Sequence, residues 1–351
     1  MTRSVDSKSM KMIGIFKSRY LFFLTLTIMF MHNIVLAQEL AWEKISSKNV
    51  TLFYPGISSW EFLLSSDHKV GGRNIRLGKK SCVDCHVSKG GDFDLLADEI
   101  VSGKLRMNHT QQFFETDPVP NKKGFLIASV QVMFDKEYLY LRITWQSQGA
   151  SWHDQALAKD GLADRVSIQV NKAEGPFRKS GCFITCHNDL NGMPKSPSRE
   201  VIRKHPYYKS MGREDIRLYS DNTRNGGWAE LKNKREIEKL LYEGGLIDLW
   251  KAEFTGKNLS VKDGWILEDR RDDDITDVTG NGHWEDGRYT VVMKKKMNSG
   301  DSRDVQLIKG DKLTFSIAIH DNKATKRKHY VSFPMTVGIG VPGDITAGII
   351  Q

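Results

Sequence analysis

Residues 125–145 read FLIASVQVMFDKEYLYLRITW. In the first half, Val130, Val132 and Phe134 occupy alternate positions, and in the second half the apolar residues alternate again from Leu139 onward. An apolar period of two residues is typical of a strand that buries one face. The Asp-Lys-Glu run between the halves indicates a turn. The stretch therefore predicts two consecutive β-strands and places the chain in a β-containing class.

The β pattern continues towards the C-terminus. Further strand patterns, separated by turns rich in Gly, Asp and Asn, occur at 165–170, 288–293, 313–320 and 329–333. The best helix pattern, at 230–241, falls between these strands. Several short strands with such turns are typical of a β-sandwich. We therefore expect residues 116–351 to form a mainly β fold, a β-sandwich with inserted helical loops.

The region before residue 116 has a different character. A polar stretch that contains Pro118 and Pro120 separates it from the β pattern. Residues 38–115 show little alternation, and short helical patterns occur at 60–64 and 95–101. We expect a small helical segment over 38–115, which precedes the sandwich.

Composition limits the class of protein. The chain has 351 residues, of which 39% are hydrophobic and 10% aromatic, and this excludes a disordered protein. The net charge of +9 suits docking to acidic protein partners, and it is too small to indicate nucleic-acid binding.

The first 37 residues have the pattern of a secretion signal. Basic residues precede an apolar run at 20–31, and Val35-Leu-Ala37 supplies small or aliphatic residues before a cleavage point. We expect cleavage after about Ala37, export and a periplasmic location. The alternative is an uncleaved membrane anchor, in which His32 and Asn33 would interrupt the apolar run.

All four cysteines lie in two short motifs, each followed by a histidine. The first is Cys82-Val-Asp-Cys85-His86, a C-x-x-C-H run that is typical of covalent c-type heme attachment. Two thiols bond the vinyl groups of the heme and the adjacent imidazole binds its iron, so one turn of chain must present all three groups. A redox dithiol and half of a zinc site are the alternatives. We expect Cys82, Cys85 and His86 to hold a heme c.

The second motif is Cys182-Phe-Ile-Thr-Cys186-His187, with one more residue between the cysteines than the common pattern. A local disulfide and a zinc site are its alternatives. The terminal Cys-His pair is kept, and the sequence has no other cysteine that would complete a metal cage. We therefore expect Cys182, Cys186 and His187 to hold a second covalent heme c.

A heme iron that transfers electrons needs a second axial ligand besides the histidine of its motif. For the first heme, the candidates are His68, which lies in a Gly-rich run before the motif, and His109, which lies after it.

For the second heme, the candidate is His329. It shares the parity of Val331 and Phe333, which predicts an inward side chain, and a core histidine without iron is the alternative. His320 lies on the polar side of its strand pattern and is a weaker candidate.

An acidic run from Asp269 to Asp277 precedes a Gly-Asn-Gly sequence. Such a loop is compatible with calcium binding, but its spacing does not match the EF-hand pattern, and a solvated loop is the main interpretation.

Several of these stretches resemble one known family. Residues 59–340 are similar to the cytochrome c-552/DMSO reductase-like heme-binding domain, whose type member is the heme subunit of ethylbenzene dehydrogenase. The similarity is carried by residues 125–145, DRVSIQV at 164–170, the second motif with Gly181, DLWKA at 248–252, YTVVM at 289–293 and KHYVS at 328–332. It is closest to the branch that adds an N-terminal C-x-x-C-H segment preceded by His-x-x-Gly-Gly-Arg, here His68 to Arg73.

This resemblance implies a β-sandwich that clasps heme between a sheet edge and inserted loops. In the type branch the heme is b-type, held by a methionine and a lysine. Here His187 stands in the region of the methionine and His329 in the place of the lysine, which implies two histidine ligands for the second heme. The resemblance also favours His68 as the distal ligand of the first heme.

Motifs and resemblance together predict an exported diheme c-type cytochrome that transfers electrons between respiratory redox partners and is not itself an enzyme. The expected partners are other cytochromes and quinol-linked or molybdenum oxidoreductases, and membrane association is expected only if the signal is uncleaved. One alternative is the heme subunit of a periplasmic molybdenum-containing oxidoreductase complex. Another is an enzyme or gas sensor with an open iron position.

Overall fold

The structure is a computed structural model, which describes most of the chain from residue 41 onward. The described residues are 41–55, 68–76, 79–105, 118–119, 121–147, 163–172, 181, 199–210, 223, 225, 231–255, 257–268, 270–321 and 329–350. The predicted signal at 1–37, the predicted helix at 60–64 and His109 lie outside them.

Strands dominate the described residues. They are β1 Lys48–Phe53, β2 Phe125–Phe134, β3 Tyr138–Gln146, β4 Arg165–Lys172, β5 Ile247–Thr255, β6 Asn258–Lys262, β7 Gly264–Ile266, β8 Arg270–Asp272, β9 Val278–Glu285, β10 Arg288–Lys296, β11 Lys312–His320, β12 Tyr330–Ser332, β13 Met335–Ile339 and β14 Ile345–Ile349. The helices are short: a 3-10 turn at Trp42–Lys44, then α1 Lys69–Arg76, α2 Val83–His86, α3 Ala97–Ser102, α4 Arg199–Lys204, α5 Pro206–Ser210 and α6 Lys234–Tyr242.

The chain divides into two compact units, Met1–Lys44 and Ile45–Gln351. Of the first unit, only the short stretch that carries the 3-10 turn is described. The second unit contains all of the strands and the six α-helices above. Among the described residues, no helix has the length and apolar character needed to cross a bilayer.

The strands form one large sheet with the order β8-β7-β5-β4-β11-β12-β1-β2-β3-β10-β9. These neighbours are antiparallel, and β6 pairs with β5. Two parallel pairings, β13 with β14 and β14 with β2, close the middle of the sheet into a ring, because β13 also pairs with β11. The sheet thus curls back on itself around a common apolar core.

The hairpin of β2 and β3 forms as the sequence predicts. The carboxylate of Asp135 accepts hydrogen bonds from the backbone N–H groups of Glu137 and Tyr138, both at 2.7 Å, and this closes the turn. The alternating apolar residues of both strands enter the main core. There the Trp145 and Tyr289 rings lie 4.8 Å apart, as do those of Tyr289 and Phe254, and they join the two halves of the sheet.

The best helix pattern gives α6. Asn233 caps it: its side chain accepts a hydrogen bond from the Glu236 backbone N–H, and the Glu236 side chain accepts one from the Asn233 backbone N–H. This reciprocal arrangement satisfies donors that a helix N-terminus otherwise leaves unpaired. The prediction of a mainly β, sandwich-like fold with few helices is confirmed.

Two regions differ from their sequence patterns. Strand β1 lies within the predicted helical segment 38–115, yet it pairs with β12 on one side and with β2 on the other. The acidic run was interpreted as a solvated loop, but β8 and β9 fall within and just after it. Of its aspartates, Asp272 pairs with Lys251 and Asp277 with Lys295.

Lys295 of β10 is the centre of a buried ionic cluster. Its Nζ lies 2.6 Å from Asp263, 2.8 Å from Asp304 and 3.7 Å from Asp248, and it also contacts Asp277. Only 1% of the Lys295 side chain is exposed. The cluster ties β5, β10 and the loops beside them together around one cation.

Candidate heme site

The first motif lies in and just before α2. The backbone N–H of His86 donates to the Cys82 carbonyl at 2.9 Å, and the Asp84 carboxylate accepts from the Ser81 backbone N–H at 2.6 Å. Residues three and four apart are neighbours on a helical turn. This turn therefore places Cys85 and His86 on the same side as Cys82, which is what attachment to one edge and one face of a heme requires.

The other ring nitrogen of His86 is fixed by the backbone. Its Nδ1 lies 3.0 Å from the carbonyl oxygen of Asp94, and the Asp94 N–H donates to the His86 carbonyl at 2.8 Å. Between them the chain turns back, with Val87 bridged to Phe93. Because Nδ1–H donates to this carbonyl, the lone pair of Nε2 is available for a metal.

The structure brings His68 to the same place. Its ring centroid lies 6.0 Å from that of His86, and the two ring planes differ by 18°. A bond from a metal to an imidazole nitrogen spans about 2 Å. This separation of the ring centres is compatible with two such bonds to one iron.

The environment of His68 favours the neutral form of the ring. Burial, with a smaller contribution from nearby His86, lowers the pKa of His68 below its usual value. A neutral imidazole has the lone pair that a metal ligand needs. The competing candidate, His109, is outside the described residues.

The residues present fit a covalently held heme. The donor set is two thiols and two facing imidazoles, and Gly71 leaves the space that the His68 ring occupies, since a Cβ there would lie 2.6 Å from Cε1 of that ring. Cys82 is buried and Cys85 is exposed. Burial raises the pKa of the Cys82 thiol to about 12, whereas a redox-active dithiol needs a lowered pKa.

The residues around the first motif pack against the sheet, on the face opposite to the main core. Cys82 belongs to an apolar cluster with Val331 and Phe333, separate from the main core. The Phe93 ring stacks on Phe333 with centroids 5.3 Å apart and planes 5° apart, and the centroid of the Phe53 ring lies 4.9 Å from that of Phe333. The sheet therefore supplies an aromatic wall beside the first motif.

The second motif, residues 182–187, lies outside the described residues. The role of Cys182, Cys186 and His187 therefore stays a prediction. Gly181 immediately before them has φ +64°, and a Cβ there would lie 2.8 Å from Cδ of Pro334 and 3.0 Å from Oγ of Ser316. The chain thus enters the second motif in close contact with the sheet, near the end of β12.

His329 lies beside the start of β12, on the face opposite to the main core. Tyr330 belongs to the main core, whereas Val331, which shares the parity of His329, belongs to the outer cluster. His329 is 1% exposed. The side chain of His329 is therefore buried, as its parity predicts. It lies on the side of the apolar cluster that contains Cys82, and not in the main core of the sandwich.

The sequence puts His320 on the polar side of its strand, and the structure shows that this side is buried and that His320 lies against His329. Strands β11 and β12 pair Ile319 with Tyr330, so the next position in the register sets His320 opposite His329. Their rings stack with centroids 4.0 Å apart and planes 14° apart. Such a gap is too narrow for an iron bound between the two rings, so they are not the two axial ligands of one heme.

Sequence reasoning missed several residues around these sites. The sequence interpretation gives Gly71 no role, although its position three residues after His68 is a signal. The Asp94 carbonyl has no side-chain signature. A buried ion pair between Lys122 and Asp321, with Nζ and Oδ1 3.6 Å apart, lies beside this face, and the Lys122 ammonium is 4.2 Å from the centre of the Tyr330 ring.

Comparison with known proteins gives one family. The sequence pattern of that family, described as ethylbenzene dehydrogenase, matches residues 41–276 and 272–332. The chain is similar to cytochrome c-552 of Stutzerimonas stutzeri, with 28% identity over 90% of this chain and 93% of that protein. It is also similar to cytochrome c-551 of Rhodocyclus tenuis, with 25% identity over 87% of this chain and 98% of that protein.

Solved structures add a remote likeness. The matches include a family 9 carbohydrate-binding module from Caldicellulosiruptor kristjanssonii in complex with glucose, at 8% identity and a TM-score of 0.27, which covers 59% of this chain and 66% of that one. The same module in complex with cellotriose matches at 9% identity and a TM-score of 0.24, over 59% and 65% of the two chains. Scores this low support no inference about a ligand. The family match, in contrast, spans most of the sequence, and by it the chain belongs to the ethylbenzene dehydrogenase family.

Proposed function

We propose that this protein is an exported diheme c-type cytochrome that transfers electrons between respiratory redox partners. The cytochrome relatives and the family membership support a heme-binding electron-transfer protein. In the proposal, Cys82, Cys85 and His86 hold one heme c, and Cys182, Cys186 and His187 hold a second. His68 and His329 are the distal ligands.

The facing pair of His68 and His86 is the observation that carries this proposal. An iron with two axial side-chain ligands has no open position for a substrate or gas, so it is suited to electron transfer. The alternative of an enzyme or gas sensor needs an open position at the iron, which a second imidazole 6.0 Å away would fill.

In the proposal, the protein groups around the motif hold the heme and orient its ligands, and they take no part in the electron-transfer chemistry themselves. When bound, heme supplies reversible one-electron chemistry at its iron. The Asp94 carbonyl orients His86 and makes its Nε2 a stronger donor. The buried Cys82 side and the exposed Cys85 side leave one edge of the attachment site open to the surface, where a partner protein has access.

The signal pattern at residues 1–37 and the net charge support a proposal for location and partners. We propose export to the periplasm with cleavage after about Ala37, and docking to acidic faces of other cytochromes or of quinol-linked oxidoreductases, since the net charge is positive. A heme subunit of a periplasmic molybdenum-containing oxidoreductase is the second candidate, favoured by the family to which the chain belongs. Co-purification of a large molybdenum subunit from the native host would decide for it.

Two measurements on the exported protein test the first proposal. Intact mass should exceed that of the processed chain by two hemes, and Cys82→Ser with Cys85→Ser should remove one of them. A mature chain that carries no heme, or whose cysteines form disulfide bonds instead, would exclude the proposal.

The ferric spectrum tests ligation. Both hemes should be six-coordinate and low-spin, and His68→Ala and His329→Ala should each turn one heme high-spin. His283→Ala is the matched control, because His283 is exposed on β9 and should leave the spectrum unchanged. A low-spin spectrum in either ligand variant removes that histidine from the ligand set.

A further inference from the structure

Gly71 lies against the ring of His68 in the first turn of α1. A Cβ atom built on Gly71 would lie 2.6 Å from Cε1 and 2.7 Å from Nε2 of that ring. Carbon atoms in van der Waals contact are about 3.5–4.0 Å apart. The ring therefore has its present position only because residue 71 carries no side chain.

The backbone gives no other reason for a glycine here. Gly71 is inside a regular α-helix and is not among the glycines with positive φ. Glycine is also a poor helix former, second only to proline. Residues three apart share one face of a helical turn, so a side chain at position 71 would meet the side chain of residue 68.

We propose that Gly71 is a positioning residue for heme ligation. It leaves the space in which the His68 ring faces His86 at 6.0 Å, and it thereby determines whether the first iron has two imidazole ligands. This inference rests on the proposed ligation by His86 and His68.

An alanine at this position has a definite consequence. The overlap between its Cβ and the His68 ring is removed only if one of them moves by roughly 1 Å, to normal van der Waals contact. The His68 ring moves more easily than the helix, because it is the end of a side chain with two rotatable bonds. A metal–imidazole bond spans about 2 Å, so a ring displaced by this amount no longer binds the same iron.

The experiment compares Gly71→Ala with a matched glycine in the same segment. Gly90→Ala is the control, since its Cβ would lie 3.5 Å from Asp92 and 3.6 Å from Ser88, which is ordinary contact. The exported holoproteins are examined by ferric electronic and electron paramagnetic resonance spectra, with intact mass for heme content. His68→Ala serves as the reference for a lost ligand.

We expect Gly71→Ala to keep both hemes and to lose the low-spin signal of one, half of the total, as His68→Ala does. That heme should bind carbon monoxide when reduced, and added imidazole should restore its low-spin signal. Gly90→Ala should match the wild-type protein. The double variant, His68→Ala with Gly71→Ala, should match His68→Ala alone, because the two changes act through one contact.

The outcomes separate the two claims. If His68→Ala turns one heme high-spin and Gly71→Ala remains fully low-spin, the positioning role is overturned and the proposed ligation stands. If His68→Ala itself stays low-spin, the proposed ligation fails. If Gly71→Ala fails to fold, recovery of the fold in the double variant supports the contact, and a double variant that is also unfolded overturns it.

Discussion

Replacing Lys295 with methionine tests how the sandwich tolerates its buried charges. The ammonium group lies within 4 Å of Asp248, Asp263, Asp277 and Asp304, and the side chain is 1% exposed. Methionine keeps the length and apolar stem of lysine but removes the cation. The substitution therefore leaves four carboxylates without their shared counter-charge.

The expected cost comes from the carboxylates that remain. Breaking a buried ion pair on one side costs about 3–5 kcal/mol, because the partner charge stays buried. Burial already raises the pKa of Asp248, and Lys295 opposes that rise. Without the lysine these groups must bind protons to remain buried, so the loss should be about 3–5 kcal/mol near pH 7.5 and smaller near pH 5.

Urea unfolding of the exported holoprotein, followed by circular dichroism at both pH values, measures this loss. Lys296→Met is the control: it makes the same change one residue further along β10, at an exposed position, and should alter the free energy of unfolding by less than about 0.5 kcal/mol. A Lys295→Met protein within about 1 kcal/mol of wild type at pH 7.5 would refute the reasoning.

Three further predictions concern the site and its support. Gly181→Ala combines a positive φ with a close contact, so it should lower the fraction of molecules that carry a second heme by intact mass, whereas Gly300→Ala, with φ +77° and open space around it, should not. Phe93→Ala removes a ring that stacks between the first-motif region and the sheet. It should lower the free energy of unfolding by about 2–4 kcal/mol and speed proteolysis around the first motif, and an unchanged melting temperature would contradict this. Burial and neighbouring aspartates raise the pKa of Asp273 to about 6, so the native state holds its proton more tightly than the unfolded chain; the free energy of unfolding should fall as the pH rises from about 4 to 6, and Asp273→Asn should flatten this slope.

The strands predicted from the sequence are those with a clear period of two. Strands β2, β3, β10 and β11 each bury one face in the main core, so the pattern and the structure have the same cause. Strand β9 has no such pattern. It contains Gly280 and Gly282, which indicate a loop in the sequence. In the structure, a Cβ at Gly280 would lie 2.5 Å from the Val292 carbonyl oxygen of β10. These glycines permit a close strand approach, and only the partner strand reveals it.

The site was predictable where its chemistry is local. Two thiols and an imidazole within five residues are visible in the sequence, whereas the 6.0 Å gap between His68 and His86 depends on how α1 and α2 pack. The burial of His320 could not be predicted in the same way. Its side of β11 carries Thr314 and Ser316 and therefore has a polar pattern, yet all three residues are buried.

Strand β12 connects the two proposed heme sites. Val331 at its centre belongs to the apolar cluster that contains Cys82, and His329 precedes its first residue. Pro334, beyond its end, lies so close to Gly181 that a Cβ there would be 2.8 Å from Cδ of Pro334. A strand rises about 3.3 Å per residue, so His329 and Phe333 are separated by roughly 13 Å along the chain. β12 is held on each side, by β1 and by β11. Because β1 precedes the first motif in the chain and pairs directly with β12, a change in β12 should disturb both proposed sites together.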